Sequence, residues 1–226
     1  MTLLIAAAAV FVLMHLLISG TRLRGVLVGA IGEGPYMGLF SLASLGVIVW
    51  LSMAYGAARG DGAALWTAPE GGRWAQAAIQ LLALLFVVPG LTTPNPTSVK
   101  QEGAIERPVV GMLRITRHPF LWGVFIWAAG HLLVNGDTPG LILFGSMAVL
   151  AVFGTYSIDA KRRAALGVAW DGFAAKTSNI PFAAIFGGRQ PLKLLEIGWW
   201  RLLLAVVIWA ALLFGHRYII GVSALP

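Results

Sequence analysis

Four histidines and a group of cations hold most of the polar chemistry in a chain that is otherwise apolar. His15 and His131 lie inside apolar runs, His118 stands directly before one, and His216 lies near the end of another. Burial in hydrocarbon disfavours imidazolium and leaves the neutral ring, the form that ligates metal. Such a histidine is costly unless it faces the interior with a partner, so each is either a hydrogen-bonded packing residue or a ligand. Ser19, one helical turn after His15, is a local partner of the first kind, and His216 beside Arg217 reads as an interfacial residue. Arg114, Arg117 and His118, in the run Arg114-Ile115-Thr116-Arg117-His118-Pro119, form a cationic corner. Cations in this position either anchor a span on its positive side or capture a carboxylate, propionate or phosphate. Carboxylates are scarce: Asp137 reads as a helix cap, and Asp159 as a local partner of Arg162 or Arg163. The chain has no cysteine, which excludes disulfides, thiolate ligands and cysteine nucleophiles. It also lacks a P-loop, an HExxH run and any Ser-His-Asp spacing.

The elements that must position these residues are membrane helices. Of the 226 residues 58% are hydrophobic and 11% charged, against about 25% charged in soluble domains. The fold class is therefore all-α, a polytopic transmembrane bundle. A span needs roughly 20 mostly apolar residues, and six stretches qualify, at 2–20, 35–56, 74–92, 119–135, 139–158 and 197–220. They make up a single transmembrane domain, 1–226. No basic residue precedes the first apolar run, so it reads as a true span rather than a cleaved signal. Between the fourth and fifth spans lies a tight hairpin: Asn135-Gly136 ends one helix, Thr138 is able to cap the next, and Pro139 suits its first turn. Residues 159–176 read as a cytoplasmic interfacial helix, with Leu166, Trp170 and Phe173 on one face.

The net charge of +7 reflects positive-inside loops and implies no nucleic-acid partner. Alternate loops hold Arg22 and Arg24; then Lys100, Arg107, Arg114 and Arg117; then Lys161, Arg162, Arg163, Lys176, Arg189 and Lys193, with Arg201 opening the last span. Against these thirteen stand Arg59, Arg73 and Arg217. The asymmetry places both termini outside, periplasmic if the membrane is a bacterial inner membrane.

Several blocks resemble the NnrU family of membrane proteins, which includes the 15-cis-ζ-carotene isomerases. They are Asn95-Pro96-Thr97, the Arg114–Pro119 run, Trp127 followed by His131, and Asn135-Gly136-Asp137. His15 and Ser19 match the family's first-span His-Ser feature. The resemblance implies a haem b-binding membrane protein with His15 and His131 as axial ligands of the iron. It leaves Arg114, Arg117 and His118 as cofactor-binding candidates. What it implies for activity is either haem-dependent cis–trans isomerisation of a hydrophobic polyene or a part in nitrite and nitric oxide metabolism. In the isomerase branch a cysteine stands three residues before the second ligand; here that position is Ala128.

Helix depth pairs the histidines differently. It favours His15 with His118, or His131 with His216, because His15 lies towards the inner end of its span and His131 towards the outer end of its own.

A more distant resemblance is to the phospholipid and isoprenylcysteine membrane methyltransferases. It rests on Arg117-His118-Pro119, Gly123, Asp159, Leu166-Gly167, Trp170, Phe173 and Pro181. Leu121 replaces their tyrosine and Asp159-Ala160 their glutamates, so the S-adenosylmethionine site is expected to be largely lost. A third possibility is a non-catalytic factor for maturation of respiratory membrane enzymes.

Overall fold

In the computed structural model, which describes residues 1–18 and 21–225, the regular structure is helical, with one isolated antiparallel bridge between Ala64 and Asp137. In chain order the helices are α1 (Thr2–Leu13, continued as a π-turn over Met14–Ile18), α2 (Leu23–Ile31), α3 (Glu33–Ala58), α4 (Gly72–Thr92) and α5 (Met112–Ile115). They are followed by α6 (Pro119–Val134), α7 (Thr138–Leu166), α8 (Val168–Lys176), α9 (Ala183–Phe186) and α10 (Trp199–Ile220). Ser19, expected beside His15, lies outside the described residues.

Helices α3, α4, α7 and α10 are each long and apolar enough to cross a membrane; a fifth crossing results if Thr2–Ile18 and Leu23–Ile31 form one bent span. On α3, Leu39, Leu42 and Met53 are 61%, 68% and 69% exposed, which is tolerable where the surrounding solvent is lipid. The chain is thus an integral membrane helical protein. Four expected spans, 35–56, 74–92, 139–158 and 197–220, correspond to α3, α4, α7 and α10. The expected span at 119–135 is the 16-residue α6, shorter than the roughly 20 residues a crossing needs. The expected span at 2–20 changes from α to π pitch at Met14.

The interfacial helix expected over 159–176 is divided. Nothing in Asp159-Ala160-Lys161-Arg162-Arg163 breaks a helix, so α7 continues to Leu166. Gly167, at φ +52°, makes the turn into α8, a conformation that suits glycine. Trp170 and Phe173 are buried against Leu113, with Leu166 packed beside them. The apolar face expected to meet headgroups is instead a protein core.

By packing, the chain divides into two compact units, Met1–Pro69 with His131–Leu150, and Glu70–Gly130 with Ala151–Pro226. In the first, α1 lies along α3 and buries Leu4, Ala7 and Phe11. The turn after α6 is tied down there: the Leu65 and Trp66 amides both donate to the Gly136 carbonyl, at 2.7 and 3.1 Å. A Cβ on Gly136 would lie 2.1 Å from the Trp66 carbonyl oxygen, so this position requires glycine. The cap of α7 comes from Asp137, whose Oδ1 accepts from the Gly140 amide at 2.7 Å, while the Thr138 hydroxyl turns to the Ala63 carbonyl.

In the second unit α4 is the central element. Gly123 of α6 packs so closely on it that an added Cβ would sit 2.6 Å from a Val87 methyl and 2.9 Å from the Ala83 carbonyl, the close backbone approach that small residues permit in membranes. On its other contact, α10 donates from Trp209 Nε1 to the Ala77 carbonyl at 2.8 Å.

Candidate functional site

The first unit holds His15 and His131, and the second holds His118 and His216. His15 sits in the π-turn. Its Nδ1 lies 2.8 Å from the Phe11 carbonyl oxygen, which can only accept, so in the neutral ring Nδ1 carries the proton and Nε2 the lone pair. Ser44 Oγ lies 3.2 Å from that Nε2 and donates to it. Among the described residues, the hydroxyl partner of His15 comes from α3. Aromatic rings surround it: Phe11 at 4.6 Å and Phe40 at 5.3 Å between centroids, with Tyr36 stacked beyond Phe40 at 5.9 Å. Among the described residues the buried Tyr36 hydroxyl has no hydrogen-bond partner. His131, near the end of α6, stacks on Phe144 of α7 at 4.6 Å, and Phe144 meets Tyr55 of α3 edge-on at 5.8 Å.

A backbone carbonyl holding Nδ1–H and leaving Nε2 as donor is the usual arrangement behind a metal-bound imidazole. In donor chemistry, then, His15 fits an axial role, and the apolar rings around both histidines suit a flat macrocycle. The α3 positions that mark the two levels, Ser44 and Tyr55, are eleven residues apart, about 16 Å of helix rise. A shared iron would make both side chains reach along that axis. Among the described residues no three His, Cys, Asp or Glu side chains form a metal-binding group; haem takes only axial ligands from the protein.

The cationic corner is built differently. Arg117 holds the Asp159 carboxylate with Nε at 2.9 and 3.1 Å from its two oxygens, and also through Nη2. His118, 2% exposed, donates from Nε2 to Asp159 Oδ1 at 2.7 Å. Burial pushes the His118 pKa below its ordinary value, against the pull of the Asp159 hydrogen bond, so the ring is neutral and the cluster carries one anion for one cation. The Arg117 carbonyl accepts from Asn95 Nδ2 at 2.9 Å and Thr97 Oγ1 at 3.0 Å, which explains the Asn95-Pro96-Thr97 motif as a brace. Arg114 forks onto Glu196 at 2.7 and 3.1 Å and also meets Gln190. That fork, with the Gly111 amide, holds Glu196 down to about 2.

All three sequence candidates here are thus engaged with groups of the chain itself. Asp159 pairs with Arg117 and His118 across 42 and 41 residues instead of with its neighbours. Arg162 bonds Glu102 and the Ser98 carbonyl, and Arg163 bonds Asp171. Leu121, at the position of the methyltransferase tyrosine, lies beside Gly154. His216 Nδ1 donates to the Val222 carbonyl at 2.8 Å. Ser44 and Glu196 carried no sequence signal, because each acquires its role from a residue far away in the chain.

The NnrU family model matches residues 3–224. The chain is 30% identical over 191 residues to the chloroplastic 15-cis-zeta-carotene isomerase of Arabidopsis thaliana, covering 81% of this chain and 50% of that protein. With the corresponding protein of Zea mays it is 28% identical over 172 residues, 72% of this chain and 45% of that one. The chain spans about half the length of the curated relatives it matches. No solved structure matches.

Proposed function

The chain belongs to the NnrU family, and from that membership we propose that it is an integral membrane isomerase that rotates one double bond of an elongated polyene, with haem b held by His15 and His131. The observation that carries the reading is the similarity to carotene isomerases along most of the chain. The carbonyl-anchored His15 ring with its aromatic neighbours supports it.

Bound haem would supply a one-electron centre able to weaken a double bond of a conjugated chain long enough for rotation. The chain's own residues do the rest. The Phe11 carbonyl sets the tautomer and orientation of His15, and Phe144 fixes the plane of His131. Phe40, Tyr36 and Tyr55 offer flat apolar surface for a polyene. Ala128 is fully buried and has no lone pair, so His131 has no neighbouring thiolate with which to exchange as a ligand. The Arg117–His118–Asp159 and Arg114–Glu196 clusters serve as braces. In a bacterial inner membrane crossed six times, the charge asymmetry would put both termini in the periplasm.

The test is to incubate the purified, haem-loaded protein anaerobically, oxidised and reduced, with a 15-cis polyene and to resolve the isomers chromatographically. Conversion above that of a heat-denatured control, abolished in His131→Ala, is expected. A haem spectrum without any turnover would overturn the isomerase reading in favour of a redox or accessory role.

A further inference from the structure

Where α4 ends, the second unit contains a cavity of about 370 Å³ lined by Leu91, Thr92, Thr93, Lys100, Gln101 and Arg107, among others. The nearby cations outside it are committed: Arg114, Arg117 and Arg162 to carboxylates, Arg201 to Thr92. Lys100 and Arg107 differ. Among the described residues neither side chain makes an ion pair or a hydrogen bond. Glu102, close to both in sequence, is turned to Arg162. We propose that this cavity binds the phosphate of an anionic phospholipid at the membrane edge.

Three further observations support that occupant. Lys100 has φ +57°, a left-handed conformation shared by only one other non-glycine residue among those described; such strain tends to be retained at functional sites. The helix end is no obstacle to an anion. The exposed carbonyls of an α-helix C-terminus carry partial negative charge, but the Thr92 carbonyl accepts from Arg201 Nη2 at 3.1 Å and its Oγ1 from Arg201 Nε at 3.0 Å. Polar donors remain as well: Gln101 uses Oε1 to accept from the Asn95 amide, which leaves its Nε2 for a phosphate oxygen.

The location points to lipid as the source of the phosphate. The cavity is at the end of a helix long enough to cross a membrane; Leu91 in its lining and Val99, the chain neighbour of Lys100, are 63% and 67% exposed, apolar surface suited to the start of an acyl chain. Arginine would take two phosphate oxygens and lysine act as a point charge.

The experiment reconstitutes the full chain in vesicles of equal parts phosphatidylglycerol and phosphatidylcholine and counts co-purifying lipid by native mass spectrometry. Retained phosphatidylglycerol is expected to exceed phosphatidylcholine and to fall about fivefold for each of Lys100→Gln and Arg107→Gln. Lys100→Gly, which relieves the backbone strain, should fold and still lose lipid. Inorganic phosphate is tested alone by thermal shift. A shift that Arg107→Gln abolishes, without lipid preference, would overturn the lipid source in favour of free phosphate. Equal retention of both lipids with no phosphate effect would overturn the site, as would an equal loss in Lys176→Gln, a cation away from the cavity.

Discussion

The two units spend their polar residues in opposite ways. In the second, Arg114, Arg117, His118, Asp159 and Glu196 saturate one another across long stretches of chain, and the result is a neutral, hydrogen-bonded brace. In the first, the imidazole of His15 is held, among the described residues, by one carbonyl and one hydroxyl within a set of aromatic rings. Buried charges must be paired to be tolerated, so a charged cluster with every partner in place signals architecture. A lone imidazole with its donor nitrogen turned to a replaceable hydroxyl retains capacity for a ligand.

The comparison can be broken most forcefully at Asp159. Asp159→Ala leaves Arg117 buried without its carboxylate and is expected to cost about 3–5 kcal/mol, seen as loss of folded protein in detergent size-exclusion and thermal denaturation. An unchanged melting curve would show that the brace is dispensable. A smaller effect is expected at the α4–α6 contact, where Gly123→Ala forces its new methyl onto Val87 and the Ala83 carbonyl. Overpacking of this kind costs roughly 1–3 kcal/mol, and the melting temperature should fall accordingly.

Glu196 provides a pH test. Its pKa is held at about 2, against an ordinary 4.5. A depressed carboxylate contributes stability that is complete above the unfolded value and is lost as pH falls toward the folded one. Melting temperature should therefore decline between pH 4.5 and 2 more steeply in the wild type than in Glu196→Gln. The smallest effect belongs to the first unit. Ser44→Ala removes one hydrogen bond to His15, worth about 0.5–1.5 kcal/mol, and should leave haem content undiminished because Nε2 loses only a competing donor.

Much of the helical framework was legible in the sequence because hydrocarbon length and apolar composition are local properties: α3, α4, α7 and α10 follow from them. The fate of 159–176 was not, since amphipathic spacing at Leu166, Trp170 and Phe173 reads the same whether the apolar face meets lipid or Leu113. Asp159 was misassigned for a related reason. Its neighbours Arg162 and Arg163 are in reach along the helix, and only the fold brings Arg117 and His118 closer. The histidines were visible as candidates, but Ser44, the described partner of His15, lies 29 residues away in another helix. Sequence depth favoured His15 with His118, or His131 with His216; His15 and His131 belong to the first unit, and His118 and His216 to the second.

The most direct measurement is therefore haem content and low-spin absorption in four single variants, His15→Ala, His131→Ala, His118→Ala and His216→Ala, purified from one host. The account predicts that the first two lose the bis-histidine spectrum while the last two keep it wherever they remain folded. Full retention of haem and spectrum in His131→Ala would contradict it.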